Sequence, residues 1–251
     1  MAGLSSSNGM FKRTTPTATK LGPLVIKSTT RFDLWVRILR LTGAEVLAEV
    51  GVWRGDFARA ILIDCDAVSR YYMIDPWRHL LDWNKPLNVD AATFEEARIE
   101  ALEKTSFAAA KRIVLRGRTC EVVDQIPDES LDFVYIDGDH TLRGITIDLL
   151  RLLPKVREGG MIGGDDFSNT WKRGFRFEPT LVFPFAVHFA EAMDLPIVAM
   201  PHKQFMIQKT RERSFSFVDF TGAYSDVSLR DLLARWTERP RVGPQAAARM
   251  R

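Results

Sequence analysis

The sequence predicts an α/β fold in which a mostly parallel sheet is covered on both faces by helices. Three observations support it. Short apolar runs alternate with segments whose apolar residues recur at helical spacing, several of the runs end at Asp or Gly, and no linker separates the units. Such alternation is typical of a doubly wound sheet. The 251 residues fit one such domain with additions.

The first unit of the predicted sheet can be followed residue by residue. Apolar residues at helical spacing predict a helix over Arg31–Leu41, which Gly43 ends. The apolar run 46–50 is typical of a buried parallel strand. A glycine-containing turn over 51–55 follows, and residues 56–63 have the apolar pattern of a helix.

The same two patterns predict the rest of the domain. Further strands are predicted over 71–74, 112–115, 131–136, 161–164, 196–200 and 204–208, and further helices over 91–104, 142–156, 181–193 and 229–236, with Gly159 and Gly160 ending the second of these helices. Residues 77–90 are irregular. The composition predicts a disordered segment over 1–22 and a loose tail over 239–251, which leaves 23–238 as the folded domain.

Composition narrows the class of protein. With 35 basic and 32 acidic residues the net charge is only +3, so a nucleic-acid partner is not expected. Cys65 and Cys120 lack the spacing of a zinc site or a disulfide framework. No apolar run approaches the roughly 18 residues of a membrane span, and no signal peptide is recognisable. We expect a cytoplasmic protein that acts on a small molecule without a membrane partner; a homo-oligomer stays open.

The turn Glu49-Val50-Gly51-Val52-Trp53-Arg54-Gly55 is a candidate cofactor site. Glycine lets the backbone turn tightly and lets a ligand approach the main chain. The spacing is neither the dinucleotide fingerprint nor a phosphate-binding loop, which argues against a dehydrogenase. An acidic residue before the first glycine suits a ligand with an amino group, such as the methionine part of S-adenosylmethionine (SAM). A turn without any ligand is the alternative.

Asp75 strengthens the cofactor prediction because it ends the next predicted strand. In an open α/β sheet, ligands bind beyond the carboxyl ends of the strands. The Asp75 carboxylate could accept both hydrogen bonds of a ribose diol. We therefore predict cofactor binding by Glu49, Gly51, Gly55 and Asp75.

A second group of ionisable residues follows two later strands. Asp137, Asp139 and His140 come after the run 131–136, and Asp165-Asp166 come after the next strand. Carboxylates gathered in this way repel each other unless a cation or a proton intervenes. Oxygen ligands select a hard ion such as Mg²⁺ or Ca²⁺. The sequence therefore predicts metal binding by Asp137, Asp165 and Asp166.

This group also suggests a reaction. A bound metal would lower the pKa of a substrate hydroxyl, and His140 could take the proton as general base, so His140 and Asp137 are the predicted catalytic residues. Simpler explanations stay open for each residue. His140 could only donate a hydrogen bond, Asp165-Asp166 could form a solvated turn, and Asp139 could cap the following helix.

Four stretches resemble the class I SAM-dependent methyltransferases, and more closely the metal-dependent sugar O-methyltransferases of the macrocin and mycinamicin type. These stretches are Glu49–Gly55, Tyr72–Trp77, Tyr135–His140 and Gly159–Asp166. The resemblance implies a Rossmann-like sheet of seven strands with the last strand antiparallel. Residues 196–200 and 204–208 would then supply the last two strands as a hairpin.

The resemblance also implies roles for the site residues. Glu49 and Gly51 would meet the methionine part of SAM, Asp75 the ribose, and His140 would be the base. Mg²⁺ would be held by Asp137, Asp165 and Asp166. The predicted function is Mg²⁺-assisted methylation of a hydroxyl on a sugar or a natural-product-like molecule.

Two alternatives remain beside this prediction. The chain could be a metal-independent methyltransferase acting on nitrogen or carbon, or a SAM-binding protein without catalysis. Two segments could form lids over the acceptor: the aromatic and basic stretch 167–179 and the irregular stretch 77–90. Neither matches a substrate motif, so the acceptor is not predicted further.

Overall fold

The computed structural model describes residues 18–168, 178–212 and 214–224. Its strands are β1 Val46–Val50, β2 Arg70–Asp75, β3 Arg112–Arg116, β4 Leu131–Ile136, β5 Val156–Gly164, β6 Pro196–Met200, β7 Gln204–Gln208 and β8 Ser216–Asp219. They form one sheet in the order β3-β2-β1-β4-β5-β7-β6-β8. The first five strands are parallel, β7 is antiparallel to β5 and β6, and β8 is parallel to β6.

Helices cover both faces of this sheet. They are α1 Ala18–Ile26, α2 Arg31–Thr42, α3 Asp56–Asp64, α4 Ala91–Lys104, α5 Thr119–Val122, α6 Leu142–Leu152 and α7 Val182–Ala192, with short 3₁₀ turns at Ser106–Ala108 and Val123–Gln125. No helix in the described ranges is long and apolar enough to cross a bilayer.

Strand β4 shows how the two apolar layers are separated. Its side chains alternate between the faces of the sheet. Val134 packs in the layer that contains α6 and α7, whereas Phe133 and Tyr135 pack in the layer that contains α2 and α3. In the second layer the ring of Tyr135 stacks on Phe57 with 3.8 Å between centroids. β4 is therefore buried on both sides, and its carboxyl end is held firmly at the sheet edge.

The order of the strands places the candidate site. β1 lies between β2 and β4, so the connections leaving β1 and β4 run to opposite sides of the sheet. The carboxyl ends of parallel strands on either side of such a switch form a crevice. Asp75 ends β2, Asp137 follows β4, and Asp165 follows β5. The predicted Rossmann-like fold is confirmed, including the hairpin of β6 and β7.

Within the described residues the sheet has one strand more than the seven predicted. β8 is a four-residue strand at the sheet edge with no buried residue, so it lacks the continuous apolar run that marks a buried strand.

The boundaries between α6 and β5 also differ from the sequence prediction. α6 ends at Leu152 instead of residue 156, shortly before Pro154, which cannot continue a helix. β5 begins at Val156, so Gly159 and Gly160 lie within this strand and do not cap the helix. The register between β4 and β5 is irregular there, between Leu131 and Phe133.

The N-terminal boundary also differs. Helix α1 begins at Ala18, before the predicted domain start at residue 23, and its Leu21 is buried. The predicted helix 229–236, the predicted tail 239–251 and residues 1–17 lie outside the described residues.

Candidate active site

The turn after β1 packs directly against the residue that follows β4. The Gly51 amide donates to the Ile74 carbonyl (2.9 Å), and the Asp137 amide donates to the Val50 carbonyl (2.8 Å). Gly51 has φ of +86°, and a Cβ there would overlap the Asp137 carbonyl oxygen. Only glycine fits this position. The close approach joins the predicted cofactor turn to the predicted carboxylate cluster.

Asp75 lies at the end of β2 with its carboxylate held by two backbone donors. Its Oδ2 accepts from the Trp53 amide (2.9 Å) and its Oδ1 from the Trp77 amide (2.7 Å). Burial raises the pKa of Asp75 to about 6, although these hydrogen bonds act in the opposite direction. These bonds fix the carboxylate beside the turn that follows β1.

A cavity of about 200 Å³ lies at this edge of the sheet. Gly51, Asp75 and Asp137 line it together with aromatic rings such as Trp53 and Phe94. An apolar crevice with a few polar groups at fixed positions is the usual form of a small-molecule site. The cavity thus joins the predicted cofactor turn to the first residues of the carboxylate cluster, Asp137 and Asp139. His140, Asp165 and Asp166 do not line it.

Two of the predicted cofactor residues do not line this cavity. Glu49 is only 1% exposed, and its Oε2 accepts from the Tyr71 hydroxyl (2.7 Å). Burial raises the pKa of Glu49 to about 8. Gly55 begins α3 at a positive φ, and a Cβ there would come 2.9 Å from the Cα of Ala101 in α4. Helix packing accounts for Gly55, while contact of Glu49 with a cofactor stays a prediction.

The carboxylates of Asp137 and Asp165 share a cation that the sequence analysis missed. Arg31 Nη1 donates to Asp137 Oδ2 (2.8 Å) and also forms an ion pair with Asp165 Oδ2. Arg31 is the first residue of α2 and lies far from both aspartates in the sequence. No local spacing connects them, so only the packing of α2 on the sheet reveals the contact.

Gln204 is a second residue that the sequence analysis missed. Its Nε2 donates to Asp165 Oδ1 (2.6 Å), and its Oε1 accepts from Trp35 Nε1 (2.8 Å) and from the Tyr135 hydroxyl (3.0 Å). The two donors fix the orientation of this fully buried amide. Both oxygens of Asp165 are therefore engaged by donors of the protein.

His140 lies between the other two carboxylates of the cluster. Its Nδ1 is 2.7 Å from Asp166 Oδ2, and its Nε2 is 3.5 Å from Asp137 Oδ1. Nε2 is buried and has no hydrogen-bond partner in the part of the chain that the structure describes. An imidazole that donates from Nδ1 to a carboxylate keeps its lone pair on Nε2, the arrangement that a base requires.

Burial and charge set the pKa values of this cluster. Burial lowers the pKa of His140, but the hydrogen bond to Asp166 and the surrounding carboxylate charges outweigh it, so the pKa lies above its ordinary value. Burial also raises the pKa of Asp137 to about 7, against the opposing effects of His140 and Arg31. The cluster therefore holds a proton near neutral pH.

Asp139 has a structural role in this arrangement. Its Oδ1 accepts from Trp83 Nε1 (2.9 Å) and from the Thr141 amide (3.0 Å). Thr141 is the N-cap of α6, where its hydroxyl accepts from the Gly144 amide. Asp139 thus stabilises the turn before α6 and ties the irregular segment 77–90 to it.

The segment 77–90 also contacts the chain beyond the carboxylate cluster. Lys85 Nζ donates to the carbonyls of Glu178 (2.8 Å) and Pro179 (2.9 Å). This contact links the two segments predicted as lids. Residues 169–177 of the second lid lie outside the described residues.

The acidic side chains of the site are not arranged around a common point where a metal ion could bind. Within 18–168, 178–212 and 214–224, no group of three or more His, Cys, Asp or Glu side chains is arranged to hold a metal ion. The groups that lie beside the predicted ligands are instead the Arg31 guanidinium and the His140 imidazole.

Most residues of the site lie in a segment of the chain that matches a known protein family. Residues 48–167 match a family described as a methyltransferase domain. That range includes the turn after β1, Asp75 and the cluster from Asp137 to Asp166. A search of curated proteins found no match.

Two solved structures have the same fold. The SAH-bound methyltransferase PaMTH1 of Podospora anserina is 14% identical, with 72% of this chain and 78% of that chain covered and a TM-score of 0.53. A proposed caffeoyl-CoA O-methyltransferase from Staphylococcus aureus is 13% identical, with 70% and 81% covered and a TM-score of 0.52. At this sequence identity the two structures show only the fold. The enzyme class, a methyltransferase, follows from the domain match over residues 48–167.

Proposed function

We propose that this chain, a class I SAM-dependent methyltransferase, transfers the methyl group of SAM to a hydroxyl oxygen of a small molecule, with His140 as general base. The observation that carries this proposal is the buried imidazole of His140, whose Nδ1 is bonded to Asp166 and whose Nε2 lacks a hydrogen-bond partner among the described residues. The ring lies beside Asp137, which lines the cofactor crevice. The acceptor class, a sugar or a natural-product-like molecule, rests on the sequence resemblance.

SAM would bind at the carboxyl ends of β1 and β2. The backbone at Gly51 lines the cavity, and the Asp75 carboxylate at the next strand end suits a ribose diol. A contact of Glu49 with the amino group of the methionine part rests on the sequence resemblance alone, since Glu49 is bonded to Tyr71 in this structure. When bound, SAM supplies a methyl group on a positively charged sulfur, which any positioned nucleophile can accept.

Transfer to oxygen is favoured over transfer to nitrogen by the need for a base. A hydroxyl attacks well only when its proton is removed, whereas a neutral amine attacks with its lone pair. His140 Nε2 is available for this proton, and Asp166 stabilises the imidazolium that results. Holding the acceptor in line with the methyl group supplies much of the remaining rate enhancement.

Magnesium on Asp137, Asp165 and Asp166 was the sequence-based hypothesis, and the donor set is of the right chemical kind. The arrangement does not fit a divalent ion, because the Arg31 guanidinium contacts Oδ2 of Asp137 and Oδ2 of Asp165. Asp166 is turned to His140. None of the residue roles proposed for this site depends on a metal.

The proposal is tested with the purified full chain and radiolabelled SAM. SAM binding is measured by calorimetry, and methyl incorporation is measured with a panel of sugars, phenols and amines. We expect SAM binding, products methylated on oxygen, and loss of turnover in His140→Gln with an unchanged Kd for SAM. His188→Gln, a change of an exposed histidine on α7, is the matched control.

Two results would contradict the proposal. No binding at millimolar SAM would remove the enzyme and the cofactor site together. Full activity in His140→Gln would remove His140 as the general base. Methylation of amines alone would remove transfer to oxygen and favour the metal-independent N-methyltransferase alternative.

A further inference from the structure

Asp137 and Asp165 bring two carboxylates together at the ends of adjacent strands. Two like charges in a partly dry crevice destabilise each other unless a cation lies between them. Arg31 supplies that cation from outside the sheet, with one guanidinium nitrogen in contact with both carboxylates. The charge balance at this point therefore comes from the protein itself.

The position of Arg31 is fixed by the way α2 is anchored. The hydroxyl of Thr30 caps the helix by accepting from the Asp33 amide (3.1 Å). One turn further on, Trp35 packs where a side chain on Gly163 would lie, and its indole donates to Gln204. The guanidinium also lies 5.2 Å from the ring centre of Phe32. Both the backbone and the side chain of Arg31 are thus held beside the carboxylates of Asp137 and Asp165.

The bonding of Asp165 shows that the carboxylates are already engaged. One oxygen contacts Arg31, and the other accepts from Gln204, whose amide is fixed by Trp35 and Tyr135. A divalent ion needs several of these oxygens at once and prefers them without competing donors. Any ion that enters must displace the guanidinium first.

We propose that Arg31 is the resident counter-cation of the Asp137 and Asp165 carboxylates, which it positions, and that a divalent cation competes with it for the same two oxygens. This inference does not depend on the identity of the methyl acceptor. It makes Arg31 a positioning residue of the active site and ties metal affinity to the placement of α2.

Removal of the guanidinium gives the test. In Arg31→Met the two carboxylates lose their counter-cation, so a metal ion gains access and attraction at once. Arg31→Lys keeps the charge but loses the planar, forked donor group. Arg37→Met on the same helix removes an arginine that pairs with Asp33 and lies away from the carboxylate cluster, and it is the matched control.

The experiment is a titration of the full chain with Mn²⁺, followed by electron paramagnetic resonance. We expect Arg31→Met to bind one Mn²⁺ roughly tenfold or more tightly than the wild type, and Arg37→Met to match the wild type. In the double variant Arg31→Met/Asp137→Asn the gain should disappear.

Equal Mn²⁺ affinity in the wild type and Arg31→Met would overturn the proposal. If Arg31→Met does not fold, Arg31→Lys decides, because the retained charge should keep Mn²⁺ affinity close to the wild-type value, and a tenfold gain there would also overturn it. The readout is metal binding alone, so an inactive enzyme or a wrong acceptor would not affect the result.

Discussion

The imidazole of His140 and the carboxylate of Asp166 are hydrogen-bonded across the ends of β4 and β5, with 2.7 Å between Nδ1 and Oδ2. This bond orients the ring and stabilises the protonated form. We expect Asp166→Asn to lower kcat by roughly 10²-fold with little change in the Kd for SAM. Asp128→Asn, which changes an exposed carboxylate paired with Lys155, is the control. Unchanged kcat in Asp166→Asn would separate Asp166 from the reaction.

The pH dependence of kcat follows from the raised pKa of His140. A raised pKa keeps the imidazole protonated to a higher pH than in a free histidine, and the base form increases as the pH rises. We expect kcat to rise with pH through a midpoint above the ordinary value of about 6.5. Asp166→Asn removes the main interaction that raises this pKa, so its midpoint should lie lower. A flat profile, or a midpoint below 6.5, would contradict His140 as the base.

Removal of metal ions tests the magnesium hypothesis directly. Because Arg31 already contacts Asp137 and Asp165, we expect the activity of the wild type to persist after dialysis against EDTA. The measurement is the initial rate of methyl transfer before dialysis, after dialysis, and after addition of Mg²⁺. Loss of activity in EDTA with recovery in Mg²⁺ would restore the predicted metal role of Asp137, Asp165 and Asp166.

Asp75 is expected to act on the cofactor and not on the chemical step. Asp75→Ala removes the carboxylate at the crevice and leaves the Trp53 and Trp77 amides without their acceptor. We expect the Kd for SAM to rise at least roughly tenfold, while kcat at saturating SAM changes little. Calorimetry measures the Kd for SAM, and rate saturation measures kcat. Asp64→Asn, which changes an exposed aspartate, is the control. An unchanged Kd would remove Asp75 from the cofactor site.

Glu49 gives a prediction on stability, because its burial raises its pKa to about 8. At pH values below the unfolded pKa of about 4.3 both states carry the proton. As the pH rises towards 8, only the unfolded state releases it, and the free energy of unfolding falls by up to about 1.4 kcal/mol per pH unit. Glu49→Gln lacks this loss, so its stability relative to the wild type should increase between pH 5 and pH 8.

Denaturant unfolding at the two pH values measures this difference for Glu49→Gln. The same difference at both values would mean that Glu49 is ionised in the folded protein. A Kd for SAM measured on the same variant tests the predicted contact with the methionine part.

The strands of the sheet were largely predictable because their signals are local. An apolar run such as β4, followed at once by Asp137, carries its own boundaries in a few residues. Adjacent parallel strands bring their ends together, so the meeting of Asp137 and His140 with Asp165 and Asp166 could also be predicted. The short edge strand β8 lacks such a run and was missed.

The residues that complete the site were not predictable, because their contacts cross the sequence. Arg31 reaches Asp137 from a helix that precedes the whole sheet. Gln204 lies in a hairpin on the far side of β5, and nothing near it in the sequence indicates Asp165. The direction of the Glu49 side chain, towards Tyr71 and away from the cavity, depends on which face of β1 it occupies.

The missing side chain of Gly163 is what lets Trp35 seat against β5. A methyl group there would push against the indole and move α2, and the guanidinium at the start of that helix would move with it. A single added methyl group in the middle of the sheet would thus alter the charge balance at the carboxylates. Residue 163 therefore influences the charge balance of the site from outside the cavity.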